Sequence, residues 1–597
     1  YAFANCPNLS EVVDMPSIGT MHHYAFAGTA LTSVDISGLH MSGNNVFANC
    51  TKLTEVITGK FTAIGNNMFR GCTELRYSKE NPLILHTPKI GDGAFNGCSN
   101  LAGVRLENPE GEDLEFAIGA SAFSGCTNEG FFVDMSGVKV RSIGDRAFAN
   151  SAITTFTFPN GLESLGSNVF ANTAIDTIVI SEGVDFATIR FSGIPFQNVM
   201  IKNESSAYEL VDGVLYNKAM TKVFHVNPSV TELLLPASVT EIGDYALAGS
   251  NVRTVTLTAN VEKIGVGAFM NSAVSAINLK DAAITEIPAN AFSGAEYIRA
   301  IELSDNVTKI GANAFANSGV NSFKANGLTA IADGAFANCR LLKGIALADG
   351  IESIGSRVFE NCIALEEATM PSVKELGDFT FYGARSLKKV IFGNNATTIG
   401  KLTFFSTNVT EVELPDALTV IDTAAFFGCK QLATIDLKNV TVIEDGAFGG
   451  CSKLTTVKGL DKVEKIGDYA FYGCGMPALN LASATSIGEM AFASTGMNVT
   501  IYQTEDGYQV TAFGDSQLPG YLEYTYNYLG NFVYSKETAS MAYQTVSIPK
   551  AVTIGRFAFF NGGETEIELP ASLENLGYGA FAASKKLSTI KVQDGNG

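Results

Sequence analysis

Several features that would identify an enzyme or a membrane protein are missing from this sequence. It has no tryptophan, only 17% charged residues and five histidines: His22, His23, His40, His86 and His225. The histidines form no H-E-x-x-H pair, and no G-x-S-x-G elbow, Walker loop or dinucleotide glycine loop is present. No apolar run approaches the roughly 18 to 20 residues of a membrane span, and no signal peptide is visible. These absences argue against a zinc protease, a serine hydrolase, a nucleotide-dependent enzyme and a membrane-inserted segment.

Positive charge is also scarce. Lys and Arg number 40 against 60 Asp and Glu, which gives a formal net charge of −20. Nucleic acid and anionic membrane surfaces would be repelled by such a chain, whereas cationic partners are weakly favoured. The composition is 46% hydrophobic with a mean hydropathy of +0.17. This is apolar enough for a large core, so the chain is not expected to be disordered.

One short string recurs along the whole chain. Residues 466–475 read IGDYAFYGCG, and residues 90–98 read IGDGAFNGC. Aligned on its phenylalanine, the string occurs 23 times, mostly at intervals of 21 to 23 residues, and only Leu247 replaces Phe. The anchors lie at positions 3, 26, 47, 69, 95, 123, 148, 170, 191, 247, 269, 292, 315, 336, 359, 381, 404, 426, 448, 471, 492, 559 and 581. Such a period predicts stacked coils that bury one another's apolar faces.

The residues around each anchor predict a short capped turn. Gly or Asn follows two residues after the anchor in 20 of 23 copies, and both readily adopt the left-handed conformation that ends a helical turn. Three residues before it, 13 of the 22 complete copies carry Asp, Asn, Ser or Thr, which cap free amides at a helix start. We therefore expect each Phe to point inward from a single helical turn.

An apolar triplet spaced L-x-x-L-x-L follows each turn. Leu432, Ile435 and Leu437 form one example, and its alternation predicts a short strand with one buried face. Strands that recur once per coil in one direction stack into a parallel sheet. At about 4.8 Å per strand, the body would be a rod or arc roughly 120 Å long.

The triplet followed by I-G-x-x-A-F-x-G/N-C/S resembles the BspA-like leucine-rich repeats of bacterial surface proteins, which also occur in some parasitic protists. This resemblance covers essentially the whole chain. It implies a leucine-rich-repeat solenoid, an elongated right-handed coil or horseshoe with a parallel β-sheet on the concave face and short helical turns and loops elsewhere. It also implies a cell-surface or secreted setting and a role in adhesion to host proteins or other cells.

The predicted organisation is one solenoid over residues 1–597 with two irregular regions. Residues 208–229 predict a coil in which a hairpin replaces the capped turn, and residues 500–548 predict a tyrosine-rich region with a second such hairpin coil. The acidic segment 107–115 lacks the ligand spacing of a calcium loop and is expected to be a solvated loop. Because the chain opens inside a repeat at Tyr1-Ala2-Phe3, we expect both termini to be truncated relative to the full product.

Two groups of residues are candidates for ligand binding. The first comprises strand residues between triplet positions, which are expected to face the concave surface. The members singled out are Thr155, Thr177, Thr254, Thr256, Glu411 and Glu413. The second is a tyrosine cluster, whose rings either contact a partner or cover an irregular coil. Its members are Tyr521, Tyr524, Tyr526 and Tyr528.

No catalytic residue, metal site or cofactor is predicted. Glu411 and Glu413 share a strand face, but a glycosidase would need a cleft, and a smooth sheet supplies none. The predicted function is non-enzymatic binding of protein ligands on host or neighbouring cells. The alternatives are a passive stalk that presents another domain and a glycan-binding module. No nucleic acid partner and no direct membrane insertion are expected.

All ten cysteines occupy one position, three residues after the anchor, where other copies carry Ser, Thr, Ala, Gly or Ile. Such a position requires a small side chain, and buried free cysteine behaves as a small hydrophobe. Adjacent coils could bring two of these residues within disulfide range. However, Cys6 faces Thr29, and three cysteines occupy consecutive coils towards the C-terminal end of the chain, so one of the three would have no partner. Complete pairing is therefore impossible.

We therefore predict that all ten thiols are free. A thiol assay on the denatured, unreduced chain should titrate close to ten groups, because no cysteine is consumed in a bridge. The same assay after reduction is the control. A large gain on reduction would contradict the prediction.

Overall fold

The computed structural model describes residues 1–60, 62–180, 198–201, 207–476, 478–493, 498–504, 507–513, 545–560, 562–582 and 584–593. The chain divides into two compact units, unit 1 (Tyr1–Thr254) and unit 2 (Val255–Gly597). The helices in the described part are the 3-10 turns Met15–Ser17, Leu279–Asp281 and Leu460–Lys462. None of the described helices has the length and hydrophobicity needed to cross a membrane.

Unit 1 is built from short strands. They are β1 (Thr20–Met21), β2 (Ser33–Asp35), β3 (Met41–Ser42), β4 (Glu55–Ile57), β5 (Leu83–Leu85), β6 (Lys89–Ile90), β7 (Gly103–Leu106), β8 (Glu115–Ile118), β9 (Phe132–Asp134), β10 (Lys139–Ile143), β11 (Thr155–Thr157), β12 (Ser164–Leu165), β13 (Thr177–Ile180), β14 (Asn198–Ile201), β15 (Tyr208–Val211), β16 (Val214–Asn217), β17 (Lys222–Val226), β18 (Glu232–Leu234) and β19 (Glu241–Ile242). The boundary between the units falls within β20 (Thr254–Thr256).

Unit 2 continues the same pattern. Its strands are β21 (Lys263–Ile264), β22 (Ala276–Ile277), β23 (Glu286–Ile287), β24 (Ala300–Glu302), β25 (Lys309–Ile310), β26 (Ser322–Lys324), β27 (Ala330–Ile331), β28 (Gly344–Ala346), β29 (Ser353–Ile354), β30 (Glu367–Met370), β31 (Glu375–Leu376), β32 (Lys389–Phe392), β33 (Thr398–Ile399), β34 (Glu411–Glu413), β35 (Val420–Ile421), β36 (Thr434–Asp436), β37 (Val442–Ile443), β38 (Thr456–Lys458), β39 (Lys465–Ile466), β40 (Ala478–Asn480), β41 (Ser486–Ile487), β42 (Asn498–Thr504), β43 (Gly507–Phe513), β44 (Thr545–Ser547), β45 (Thr553–Ile554), β46 (Glu566–Leu569), β47 (Asn575–Leu576) and β48 (Thr589–Val592).

Within each unit the strands form two columns. The first column contains the strands that carry the apolar triplet, as in the parallel sheet β28-β30-β32-β34, where Val390 pairs with Val412. The second column contains two-residue strands at the Ile-Gly that opens each string, as in β23-β25-β27-β29-β31-β33, where Ile287 pairs with Ile310. The first column confirms the predicted leucine-rich-repeat solenoid with parallel strands. Sequence reasoning missed the second column, although an exposed residue before a buried Ile or Leu recurs at that point.

The anchor phenylalanines stack on one another inside each unit. Successive rings from Phe3 to Phe170 in unit 1, and from Phe269 to Phe581 in unit 2, have centroids 4.8 to 5.7 Å apart and planes within 21°. Most of these rings are fully buried. Each aromatic pair contributes about 0.5 to 1.5 kcal/mol beyond the burial of its area. The prediction that the rings point inward is confirmed.

The turn that carries each Phe is not helical. In the coil of Phe95, the N–H groups of residues 93, 95 and 97 donate to carbonyls of the next coil, each at 2.8 Å, whereas those of 94, 96 and 98 donate within the coil. Both Gly93 and Gly97 have positive φ. The predicted left-handed residue after the anchor is therefore present, but a second one precedes the anchor and prevents a helix. Half of the amides are thereby free to bind the neighbouring coil.

The acidic residues three positions before the anchor do cap amides, but on the neighbouring coil. Asp92 accepts a hydrogen bond from the N–H of Ala120 at 2.8 Å, and Asp145 accepts one from Ser167 at 2.7 Å. Residues 120 and 167 occupy the same position in the following coil as the two aspartates do in their own. These carboxylates thus join coils instead of starting helices.

Antiparallel pairing occurs in the region predicted to hold the first hairpin. Strand β15 pairs with β16, β16 pairs with β17, and β17 then runs parallel to β19 with Val223 opposite Ile242. The second predicted hairpin, at residues 530–543, lies outside the described residues. Of the predicted tyrosine-rich region, strands β42 and β43 are described, and they are antiparallel.

The coils on either side of residues 494–544 are direct neighbours. Phe492 stacks on Phe559 with centroids 5.6 Å apart, and Ile487 of the second column pairs with Ile554. In the first column Leu479 pairs with Val546. These two coils therefore contact each other directly at all three places.

The cysteine position is a small slot with one recurring contact, and it is buried in most coils, although Cys6 is exposed. Cys451 donates its thiol to the carbonyl of Phe426 at 3.1 Å, and Cys339 donates to Phe315 at 3.0 Å, in each case the anchor of the preceding coil. Where Thr fills the slot, its hydroxyl donates to the anchor of its own coil, as Thr407 does to Phe404 at 2.9 Å. Burial raises the pKa of the Cys339 thiol to about 11. All ten cysteines are free thiols in the structure.

One coil replaces an apolar triplet residue with a carboxylate. Glu564 stands where most other coils carry Leu, Ile or Val; it is fully buried, and neither carboxylate oxygen has a hydrogen-bond partner among the described residues. A Cβ on Gly562 would clash with its Oε2. Gly562 is the slot residue of this coil, so the missing side chain makes room for the carboxylate.

This pair yields a prediction about stability. Glu564→Leu should stabilise the coil, since a buried carboxylate without partners costs several kcal/mol. Gly562→Cys alone should destabilise it through contact with the carboxylate. The double variant should be more stable than the sum of the single changes by about 1 kcal/mol or more. Thermal unfolding measures all three.

Glu568→Leu, an exposed position on β46, the strand that follows Glu564, is the matched control and should give no such gain. A loss of stability in Glu564→Leu, or strict additivity with Gly562→Cys, would contradict the role assigned to this pair.

Candidate functional site

The predicted threonines and glutamates of the strands lie in the first column. Thr155 is exposed on β11, and Thr177, opposite it on β13, is half-buried. Thr254 and Thr256 are both exposed on β20. On each strand, buried residues such as Phe156 alternate with these exposed positions. Each strand therefore presents short polar side chains on one face and apolar ones on the other.

Charges on the first column pair between coils. Glu302 accepts hydrogen bonds from Lys280 at 2.8 Å and from Lys324 at 3.3 Å, which belong to the coils before and after it. These hydrogen bonds lower the pKa of Glu302. Because the groups are exposed, such pairs add little stability. Their effect is to neutralise this part of the column.

Glu411 and Glu413 lie where this neutralisation is weaker. Glu411 is exposed and opposite Lys389 in the register of β32 and β34. The side chain of Glu413 is 82% exposed, and the nearest cation, Lys438, lies 3.9 Å away and closer to Asp416, at 2.9 Å. This part of unit 2 therefore presents an excess of negative charge to solvent.

The second predicted group cannot be placed. Tyr521, Tyr524, Tyr526 and Tyr528 lie outside the described residues, so their role as binding residues stays a prediction.

Unit 2 contains an aromatic cluster that sequence reasoning missed. Its rings follow the anchors directly, with Tyr382 stacked on Phe405 at 5.0 Å and Phe405 on Phe427 at 5.5 Å. Tyr469 and Tyr472 belong to the same cluster, and Tyr472 is fully buried. Burial raises the pKa of Tyr382 to about 12, and the carboxylate of Glu360 adds to the shift. The Phe-Phe and Phe-Tyr doublets at the anchors of these coils are the feature of the sequence that indicates this cluster.

Between residues 33 and 180 the first column of unit 1 is interrupted twice. Its strands there fall into the sheets β2-β4, β5-β7-β9 and β11-β13-β14. At the first interruption, Tyr77 replaces the missing pairing: its hydroxyl accepts from the N–H of Val56 at 2.7 Å and donates to the carbonyl of Val56 at 2.8 Å. A side chain thus closes the first gap.

The second interruption is open, and we call it the β9–β11 cleft. It has a volume of about 740 Å³ and is lined by both strands and the loops that follow them. Arg105 and Asp134 form an ion pair at its wall, 3.0 Å from Nε to Oδ2. Burial raises the pKa of Asp134, but hydrogen bonds from Ser136 and Arg105 outweigh burial and hold it below its usual range. Lys79 adds a second cation.

The cleft has a cause in the sequence. Phe132, the first residue of β9, is the sixth residue after the slot cysteine Cys126, whereas Thr155, the first of β11, is the fourth after Ser151. The second column remains paired here, with Ile143 opposite Leu165, and the anchor rings remain stacked, with the centroids of Phe123 and Phe148 5.7 Å apart. The two coils therefore separate only on the side of the first column.

Comparison with known proteins identifies the repeat. The BspA type leucine-rich repeat region matches six stretches of the chain: 1–102, 84–194, 218–329, 320–433, 431–521 and 527–596. The chain belongs to the BspA-type leucine-rich repeat family. No curated protein matches it.

Several solved structures are similar to this BspA-type chain. A leucine-rich repeat protein from Bacteroides ovatus is 22% identical with a TM-score of 0.42, covering 64% of this chain and 92% of that one. A leucine rich cell surface protein from Faecalibacterium prausnitzii is 20% identical with a TM-score of 0.29, covering 62% and 82%. The pneumococcal vaccine antigen PcpA is 19% identical with a TM-score of 0.29, covering 67% and 78%.

The described part of the chain contains no group of three or more His, Cys, Asp or Glu side chains placed to hold a metal ion. The acidic segment around Glu110 carries a glycine, Gly111, in the left-handed conformation. Leu114 donates its N–H to Asn108 at 3.0 Å, which organises this segment as a loop.

The closed gap at Tyr77 yields a prediction. Tyr77→Phe should leave the N–H and carbonyl of Val56 unpaired in a half-buried place, at a cost of about 1 to 3 kcal/mol. Hydrogen exchange of the segment 54–57, followed by mass spectrometry, should accelerate because local opening becomes easier.

Tyr297→Phe is the control, because Tyr297 is 59% exposed and lies in unit 2. Unchanged exchange at 54–57 in Tyr77→Phe would show that the hydroxyl does not hold this gap closed.

Proposed function

We propose that this chain is a non-enzymatic binding protein of the cell surface or the extracellular space, and that its first-column strands hold protein ligands of host or neighbouring cells. Membership of the BspA-type family and the resemblance noted from the sequence support this proposal. The observation that carries it is the exposed first column, in which regular short strands present polar side chains in register along each unit.

The distribution of charge indicates which part of the first column of unit 2 belongs to the proposed binding surface. The chain carries a net charge of −20, and Glu411 and Glu413 present carboxylates that cations of the same column neutralise only in part. A partner with a basic surface would be attracted to such a strip, and its association would weaken with salt. We therefore propose that Glu411 and Glu413 belong to the binding surface.

The test is a binding screen with a matched pair of variants. The full chain is presented to immobilised extracellular-matrix proteins, to whole bacterial cells and to a glycan array. Glu411→Lys combined with Glu413→Lys should reduce binding to the responding protein about tenfold, since it reverses charge in the proposed contact.

Glu352→Lys combined with Glu464→Lys is the control, because both residues are exposed but lie outside the first column. Equal binding by both double variants would remove Glu411 and Glu413 from the site. Binding to glycans alone would favour the glycan-binding alternative. No binding to any of the surfaces would favour a passive stalk.

A further inference from the structure

The aromatic cluster of unit 2 ends at a charged pair. Its members occupy two positions of each turn, two residues before and one residue after the anchor, as Phe379 and Tyr382 do around Phe381. In the preceding coil the same two positions carry Arg357 and Glu360. The guanidinium of Arg357 lies over the ring of Phe379, 4.2 Å from its centroid, and donates to Glu360 Oε2 at 3.1 Å. This pair therefore caps one end of the cluster.

Beyond the cap the turn surface of unit 2 is concave. At the two positions that carry rings in later coils, the two coils before Arg357 carry Asn313 with Ala316 and Gly334 with Ala337. The depression over these small residues, which we call the asparagine trough, has a volume of about 630 Å³. Its lining consists of four asparagines, two arginines, one glutamate, two alanines and one glycine. The trough is therefore a polar site with a floor of small side chains.

Three of the asparagines form a row along the trough. Asn317, Asn338 and Asn361 stand two residues after the anchors of consecutive coils, with φ of 57°, 59° and 53°. Asn361 donates its Nδ2 to Asn338 Oδ1 at 3.2 Å, whereas the Nδ2 of Asn338 has no hydrogen-bond partner among the described residues. At about 4.8 Å per coil, the row is roughly 10 Å long. Amide donors and acceptors thus repeat from coil to coil.

The end wall of the trough supplies a buried acceptor. Glu360 is only 8% exposed; its Oε2 accepts from Arg357, but its Oε1 accepts no hydrogen bond from any residue that the structure describes. Leaving a buried acceptor unpaired is unfavourable, so a hydroxyl donor placed here would gain from it. Arg340, an exposed lining residue, supplies donors. A ligand of this trough therefore needs donors and acceptors close together.

We propose that the asparagine trough binds a neutral glycan, as a short oligosaccharide that lies along the asparagine row. A hydroxyl group both donates and accepts, so one sugar ring can donate to Glu360 and accept from Asn338 or Arg340. The carboxylate of Glu360 disfavours an anionic ligand, and the two guanidinium groups disfavour a cationic one. The length of the row suits a chain of sugars better than a single ring.

The lining also distinguishes a glycan from a protein segment. Protein partners are anchored mainly by large apolar or aromatic side chains in well-packed pockets. The apolar lining of the trough is limited to the methyl groups of Ala316 and Ala337 and to Gly334, so such an anchor would find little apolar surface. The trough lies on the turns and not in the first column. This inference therefore goes beyond the proposed function and does not depend on it.

The test presents the full chain to an array of neutral and acidic oligosaccharides, and calorimetry then measures the affinity of each glycan that binds. Neutral glycans should bind with an affinity nearly independent of salt, because no ion pair forms. Asn338→Gly should weaken this binding about tenfold, since it removes the amide side chain but installs the residue that Gly383 provides at the same position of its coil.

A second variant fills the trough. Ala337→Phe places a ring at the position that Phe405 and Phe427 occupy in their coils, where such rings stack 5.5 Å apart. The variant should therefore fold with an unchanged melting temperature and lose glycan binding.

The matched control is in unit 1, where Asn150 accepts from Asn172 Nδ2 at 3.0 Å, as Asn338 does from Asn361. Asn150→Gly removes the same kind of acceptor outside the trough and should leave glycan binding unchanged. Equal losses in Asn150→Gly and Asn338→Gly would overturn the proposal. So would the absence of binding to any neutral glycan, binding to acidic glycans alone, or full binding by folded Ala337→Phe.

This test and the test of the proposed function fail separately. Glu411→Lys combined with Glu413→Lys should leave glycan binding unchanged, and Ala337→Phe should leave protein binding unchanged. A chain that binds a matrix protein but no neutral glycan retains the proposed function and lacks this site.

Discussion

The structure depends on one constraint: no coil of this chain can bury its own apolar face. Most of the described anchor rings lie between two neighbouring rings, as Phe448 does between Phe426 and Phe471 at 5.2 Å. The backbone follows the same rule, since alternate amides of the turns donate to the next coil, as in the coil of Phe95. Stability in such an array is a sum of nearest-neighbour terms, so a local defect weakens its own interface and leaves distant coils intact.

This dependence on neighbours explains the residues of the turn better than helix capping does. A helix would direct its amides along its own axis, whereas left-handed residues on both sides of the anchor turn every second N–H outward. Residues with large side chains also adopt this left-handed conformation: Tyr469 and Arg146, each before its anchor, have φ of 56° and 55°. Left-handed conformations cost about 1 to 2 kcal/mol for such residues, and the bonds to the next coil offset this cost.

The parallel strands and the inward Phe rings could be predicted from the sequence, because the apolar triplet and the anchor Phe recur from copy to copy with nearly the same spacing. Sequence reasoning missed the second column, since a two-residue strand such as Lys465–Ile466 carries too little alternation to be recognised alone. It assigned Asp92 to a helix cap because the preference of a carboxylate for a free amide does not tell which coil supplies that amide. Contacts between coils are determined by stacking geometry, which a single repeat does not contain.

The same reasoning explains why the β9–β11 cleft was not predicted from the sequence. Regular coils use their main-chain groups on one another, and even their charges, as at Glu302, are directed to adjacent coils. In the described part of the chain, β9 and β11 fall into separate sheets where their two coils differ in length. The later start of β9 relative to β11 is visible in the sequence only as two additional residues after Cys126, compared with the coil of Ser151. In a repeat protein of this kind, departures from the period therefore indicate where neighbouring coils separate, which the repeated residues do not.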